Sequence, residues 1–151
     1  MKVLIVGGGI AGLTAAALFL EKKEFEVTLV EQAPNFGHIG YGISLFGHGR
    51  AILQELGIDD DVAKGSQIYP SFIMADASGK TLGHEVNFKY LDKLGKTTIG
   101  VERANLHETL VSKVKSLGLN IQLDTKVEHV HSTKDKAEVT FSNKNKKHLI
   151  W

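Results

Sequence analysis

The spacing of apolar and polar positions sets the order of elements along the chain. Val3-Leu4-Ile5-Val6 is an unbroken apolar run of strand length, stopped by Gly7-Gly8-Gly9. Leu13 to Leu20 carries an Ala-rich helical pattern, which gives way to charge between Glu21 and Glu26, so the helix ends near Lys23. A second apolar and β-branched run, Val27 to Val30, closes on Glu31. Between Gly49 and Ile58 a short amphipathic helix is predicted, with Ile52, Leu53 and Leu56 on one face and Gly57 at its stop. Ala104 to Leu117 is a stronger helix, with Leu106, Leu110, Val114 and Leu117 on one face and Gly118 ending it.

The remaining segments are shorter. Gln32 to Gly49 reads as a glycine-rich loop, too apolar for a solvated linker, and Asp59 to Lys64 as a polar turn or helix. Ile68 to Asp76 and Thr81 to Phe88 form a predicted hairpin around Asp76 to Lys80. Lys89 to Lys96 is polar and shows no period, and Thr97 to Glu102 suits a short strand. Ile121 to Val127 is predicted as a third parallel strand. Glu128 to His131 and Ala137 to Phe141 then pair across Lys134-Asp135-Lys136. Lys144 to Lys147 reads as a solvated basic turn before the apolar run His148-Leu149-Ile150-Trp151, a run that suggests a strand leading into something further. The fold class that follows is α/β. A Rossmann-like parallel sheet comes from Val3–Val6, Val27–Glu31 and Ile121–Val127, with inserted antiparallel strands, a β-hairpin and one bare edge or face.

The opening strand, turn, helix, strand and acid form a dinucleotide-binding unit, and each residue type has a physical task. Gly7 permits the tight turn. Gly9 has no side chain to hold a pyrophosphate away from the backbone, and Gly12 lets the helix pack closely on the sheet. The backbone N–H groups of Gly9, Ile10 and Ala11 face the phosphates at a helix N-terminus. Glu31, 19 positions beyond Gly12, accepts hydrogen bonds from a ribose.

Composition narrows the class. A chain of 151 residues suits one domain. Its 18 basic and 17 acidic side chains leave a net charge of +1, which gives no case for nucleic acid or an anionic membrane surface. Zero cysteines exclude disulfides, Cys-zinc sites and thiol catalysis. The uncharged stretch Val3 to Leu20, with Ala15-Ala16-Ala17, has a rival reading as a signal peptide, but three glycines break its apolar core and Glu31 would go unexplained. The default location is cytoplasmic.

Four stretches together resemble the N-terminal part of the FAD-dependent aromatic-hydroxylase-type monooxygenases, the p-hydroxybenzoate hydroxylase-like flavoproteins. They are Gly7-Gly8-Gly9-Ile10-Ala11-Gly12-Leu13 with Glu31, and Gly40-Tyr41-Gly42-Ile43-Ser44-Leu45 with the helix ending at Gly57. The others are Val101 to His107 opening the long helix, and Thr125 to Val130 before a hairpin. The resemblance implies that Gly9, Ile10 and Ala11 bind the FAD pyrophosphate within the cofactor-binding turn of Gly7 and Gly12, that Glu31 holds the adenosine ribose and that Gln32 stands where relatives carry a basic residue. It further implies that Arg103 reaches the cofactor near its phosphate and ribityl part and that the Val127 backbone meets the adenine edge. It implies one FAD-binding domain over residues 1–151, incomplete at its end, in which 68–88 starts a substrate-covering β insertion. It implies an enzyme that uses NAD(P)H and O₂ to hydroxylate a small organic substrate, inactive as this chain alone, with homodimerisation through an exposed apolar edge. Another FAD-dependent dehydrogenase or reductase, or a non-catalytic nucleotide-binding remnant, stands as the alternative.

No catalytic residue can be named, which suits chemistry carried by a cofactor. His129 and His131 share one face of a strand and would suit a metal, but further ligands are lacking and surface histidines are the simpler account. Arg103 at a helix start is disfavoured by the dipole, which suggests an anion partner over a surface ion pair.

Overall fold

The computed structural model describes residues 1–37, 40–88, 97–134, 136–142 and 146–150, the last five as backbone only. In chain order the elements are β1 (Lys2–Val6), α1 (Ile10–Glu21), β2 (Glu26–Val30), β3 (Gly42–Leu45), α2 (Gly47–Glu55), α3 (Asp59–Ala63) and β4 (Gln67–Ile68). They continue with β5 (Ser71–Phe72), β6 (Val86–Asn87), β7 (Ile99–Glu102), α4 (Arg103–Ser116), β8 (Ile121–Gln122), β9 (Val127–Ser132), β10 (Lys136–Phe141) and β11 (Lys146–Ile150). They fall into two compact units, one of Met1–His38 with His107–Trp151 and one of Ile39–Leu106. The polar stretch 89–96 and the first half of the basic turn expected at Lys144–Lys147 lie outside the described residues. Lys146 and Lys147 themselves open β11.

The first unit holds the predicted parallel sheet, in the order β1-β2-β8. β1 and β2 pair in parallel from Lys2↔Glu26 to Val6↔Val30, and β2 pairs in parallel with β8 at Leu29↔Ile121 and Val30↔Gln122. Leu13, Ala16 and Ala17 of α1 are fully buried, a spacing that turns one helical face inward, and Leu29 and Val30 of β2 are equally closed off. The third strand is shorter than expected. It stops at Gln122 because Asp124 takes a left-handed conformation (φ 49°), which breaks the extended backbone, and Thr125 turns back to donate its N–H to the Glu31 carbonyl at 2.9 Å. Val127 therefore opens β9 and does not end a parallel strand. β9, β10 and β11 form an antiparallel sheet with β10 central, and Ala137, Val139 and Phe141 of β10 join Val30 in a buried cluster.

In the second unit, part of the expected glycine-rich loop is a strand. β3 pairs antiparallel with β7 from Gly42↔Glu102 to Leu45↔Ile99, and β4 takes the other side of β7. The alternation of Ile43 and Leu45 carried this signal, masked by the glycines around it. The predicted hairpin is present as β5 and β6, extended by a bridge between Ala75 and Thr81, but its first residues, β4, belong to the β7 sheet. Both helix stops named by glycine are as expected. Gly57 (φ 71°) donates to Gln54 and Ile58 to Leu53, while Gly118 (φ 87°) donates to Lys115 and Leu119 to Val114. These paired bonds cap the last turns of α2 and α4 in the same way. Arg50 of α2 makes a bidentate ion pair with the buried Asp59 of α3 at 2.9–3.0 Å, and its remaining nitrogen donates to the Thr97 carbonyl at 2.9 Å.

Candidate dinucleotide-binding site

The site grows from the end of β1. Gly7 takes φ 102°, and its N–H donates to the Val30 carbonyl at 2.8 Å, so the chain leaves the sheet while still tied to it. Gly12, in the first turn of α1, sits against that bend: a Cβ there would run into the Gly7 carbonyl. Helix and turn are thus packed backbone to backbone, and only glycine permits it.

Gly9 is different. It is the N-cap of α1 in extended conformation, and a Cβ added there meets nothing within 4 Å. Neither the fold nor a left-handed backbone requires glycine at this position. No side chain caps the helix, and its first turn holds no acid. The N–H groups of Gly9, Ile10, Ala11 and Gly12 have no carbonyl four residues back to serve, and the Gly9 carbonyl takes Leu13 N–H at 2.9 Å. The result is an open, positively polarised helix end over a residue with no side chain, a cradle suited to a phosphate group.

Glu31 closes the unit from the end of β2. One carboxylate oxygen accepts the Gly8 N–H at 2.7 Å and the other the Ala33 N–H at 2.9 Å. The Ala33 bond first, then those from Gly8 and Gln32, hold this carboxyl below the usual glutamate range against the opposing effect of partial burial. A carboxylate offers about four lone-pair positions, and the three backbone N–H groups do not exhaust them, so one remains for a ribose hydroxyl.

Beyond Glu31 lies a cleft of about 240 Å³ lined by Val6, Gly7, Glu31, Gln32, Thr125, Lys126 and Val127. Val6 is 61% exposed at the carboxyl end of β1, where ligands collect in open parallel sheets. The turn on the far wall is tied to the Glu31 segment by Glu31 N–H to Gln122, Asp124 N–H to Ala33 and Thr125 N–H to Glu31, all between 2.9 and 3.0 Å. Gly7, Glu31, Gln32 and Val127, four residues singled out from the sequence, meet around this one cleft. Gly9, Ile10, Ala11 and Gly12 form the adjoining helix start. Arg103 falls in the other compact unit, as the first residue of α4, with its backbone N–H on the Tyr41 carbonyl at 3.1 Å.

Sequence reasoning missed three participants. Thr125 and Lys126 line the cleft because the strand ends early, which the β-branched run concealed. His107 places Nε2 2.7 Å from the Gly8 carbonyl, and its ring meets Phe36 edge-on at 4.8 Å between centroids. The only available signal for it was its place one turn into the helix that Arg103 opens. His129 and His131 are exposed on β9, and the described residues contain no cluster of three or more side chains able to hold a metal. No helix among the described residues is long and apolar enough to cross a membrane.

The tryptophan halogenase family matches residues 2–144. The chain is 32% identical over 143 residues to the 3-hydroxybenzoate 6-hydroxylase of Polaromonas naphthalenivorans (strain CJ2), which covers 93% of this chain and 35% of that protein. In the tetrameric form of 2-methyl-3-hydroxypyridine-5-carboxylic acid oxygenase, 97% of this chain is matched with a TM-score of 0.77 at 27% identity, over 36% of the oxygenase chain. CtdE, solved in complex with FAD and a substrate, shares the fold with a TM-score of 0.78 at 24% identity, over 98% of this chain and 35% of its own. The chain therefore spans about a third of the length of these proteins. With the glycine turn, the acid and the sheet order all in place, the chain belongs to the FAD-dependent monooxygenase and tryptophan halogenase family of flavoproteins, matching its N-terminal region.

Proposed function

We propose that this chain is the FAD-binding part of a flavin-dependent monooxygenase that takes NAD(P)H and O₂ and hydroxylates a small aromatic or related organic substrate. The observation that carries the reading is the contrast between Gly12, locked by the protein itself, and Gly9, whose missing side chain leaves open space at an uncapped helix start. Gly9, Ile10 and Ala11 bind the pyrophosphate through their N–H groups, with Gly7 and Gly12 shaping the turn. Glu31 holds the ribose, Gln32 adds a polar contact, the Val127 backbone edges the adenine, and Arg103 meets the cofactor's phosphate and ribityl part. When bound, FAD supplies the redox and oxygen chemistry, and the protein's task is to hold and orient it.

The domain reading follows. Residues 1–151 serve one FAD-binding domain, and the hairpin within 68–88 begins the cover over the substrate. Ile68, Ile73, Met74 and Leu82 are each more than half exposed there, an apolar surface that suits self-association into a homodimer. Sedimentation equilibrium checks this, and a strict monomer at high concentration counts against it. The lack of cysteine suits a cytoplasmic location.

The direct test is titration of the purified chain with FAD, followed by flavin fluorescence, with NAD⁺ in excess as competitor. Saturable binding at one FAD per chain that NAD⁺ does not displace is expected. Binding of NAD⁺ in preference to FAD would move the site to a nicotinamide cofactor.

A further inference from the structure

We propose that His107 is a positioning residue for the cofactor turn, fixing the Gly8–Gly9 peptide plane so that the Gly9 N–H is presented to the pyrophosphate. The proposal rests on the FAD reading above and adds to it a side chain that the glycine motif does not contain.

The geometry is local to one compact unit. Gly8 is held from both ends. Its N–H donates to Glu31 at 2.7 Å, and its carbonyl lies 2.7 Å from Nε2 of His107, which donates as the N–H tautomer or as the cation. A trans peptide is planar, with C=O and N–H pointing in opposite directions. Fixing the Gly8 carbonyl on His107 therefore directs the Gly9 N–H away from the imidazole. That N–H is the first of the unsatisfied donors at the start of α1. Without the histidine, two glycines in succession could rotate this plane at little energy.

The ring is itself fixed. Phe36 meets it edge-on at 4.8 Å, and the same Phe36 lies so close over Gly8 that a Cβ on Gly8 would come within 2.7 Å of its ring. Gly8 thus owes its identity to Phe36, Phe36 braces His107, and His107 returns to the Gly8 carbonyl. Glu31, which holds the other end of Gly8, has a lowered pKa that includes a small attraction to His107. One partly buried side of the turn is set by an imidazole, leaving the opposite side for the ligand.

The test uses the 151-residue chain and FAD. His107→Phe keeps a ring against Phe36 and removes the donor. His107→Gln keeps an N–H near the Nε2 position. His107→Met is a second variant without a donor, should the Phe variant fail to fold. Loss of one such hydrogen bond is expected to weaken FAD binding about five- to tenfold in the Phe or Met variant, with the Gln variant returning to within about twofold of wild type. The amide resonance of Gly9 in the ligand-free protein should shift in the donor-less variant and return in the Gln variant. Equal FAD affinity in wild type and the donor-less variant overturns the proposal and leaves the FAD reading standing. Equal weakening in Gln and Phe variants, with lowered unfolding midpoints in both, assigns His107 a packing role and also overturns it. Failure of the wild-type chain to bind FAD overturns the FAD reading and this proposal together.

Discussion

Two glycines three residues apart do opposite work, and substitution separates them. Gly12→Ala forces a methyl group into the Gly7 carbonyl, so it should cost about 1–3 kcal/mol of stability in urea denaturation. Gly9→Ala adds a methyl group in open space on an extended backbone, so the unfolding midpoint should stay near wild type while FAD affinity falls about tenfold or more. Wild-type FAD affinity in Gly9→Ala would show that the space is not used by the cofactor. Glu31 adds a pH dependence. Its folded pKa is depressed, so the stability it contributes is present above the unfolded pKa of about 4.3 and is lost as pH falls through the lower folded value. Acid unfolding of wild type should therefore contain a component that Glu31→Gln lacks, seen as a smaller loss of stability between neutral pH and pH about 3. All the residues of the motif were legible in the sequence, because turn, cradle and acid are each tied to a residue type at fixed spacing. His107 and Phe36 were not, since their role depends on α4 and the Phe36 segment arriving at the same turn.

At the level of elements, apolar periodicity located α1, α2, α4, β1 and β2 to within three residues, and Gly57 and Gly118 marked real helix ends. It failed where a run of one character serves two strands. Ile121 to Val127 looks continuous, but the left-handed Asp124 divides it into the last parallel strand and the start of an antiparallel one. Gly42 to Leu45 looks like loop because glycine dominates its surroundings, yet its backbone is fully paired with β7. The Arg50–Asp59 pair also left no trace, since two charges nine residues apart have no pattern until a turn brings α2 and α3 together. Asp59 is 3% exposed, so Asp59→Ala strands a largely buried guanidinium and should cost about 3 kcal/mol in chemical denaturation. A loss below about 1 kcal/mol would show that water reaches the arginine freely. Gly118→Ala, which must hold φ 87° with a Cβ, should cost about 1–2 kcal/mol by the same measurement.

For the molecule as a whole, the glycine turn, Glu31 and the cleft beside it lie within one compact unit, while Arg103 belongs to the other. The four stretches that resemble FAD-dependent monooxygenases lie within residues 2–144, which the tryptophan halogenase family matches, and the match to a 3-hydroxybenzoate 6-hydroxylase covers 93% of the chain. What the chain can be asked for directly is cofactor binding, since it spans about a third of the length of its relatives. The most direct measurement is the visible spectrum of the purified chain after incubation with FAD and removal of free ligand, with bound flavin quantified per chain. The account predicts the yellow absorbance of oxidised flavin at one equivalent, strongly reduced in Gly9→Ala. A colourless wild-type protein that stays folded and takes up no FAD would contradict it.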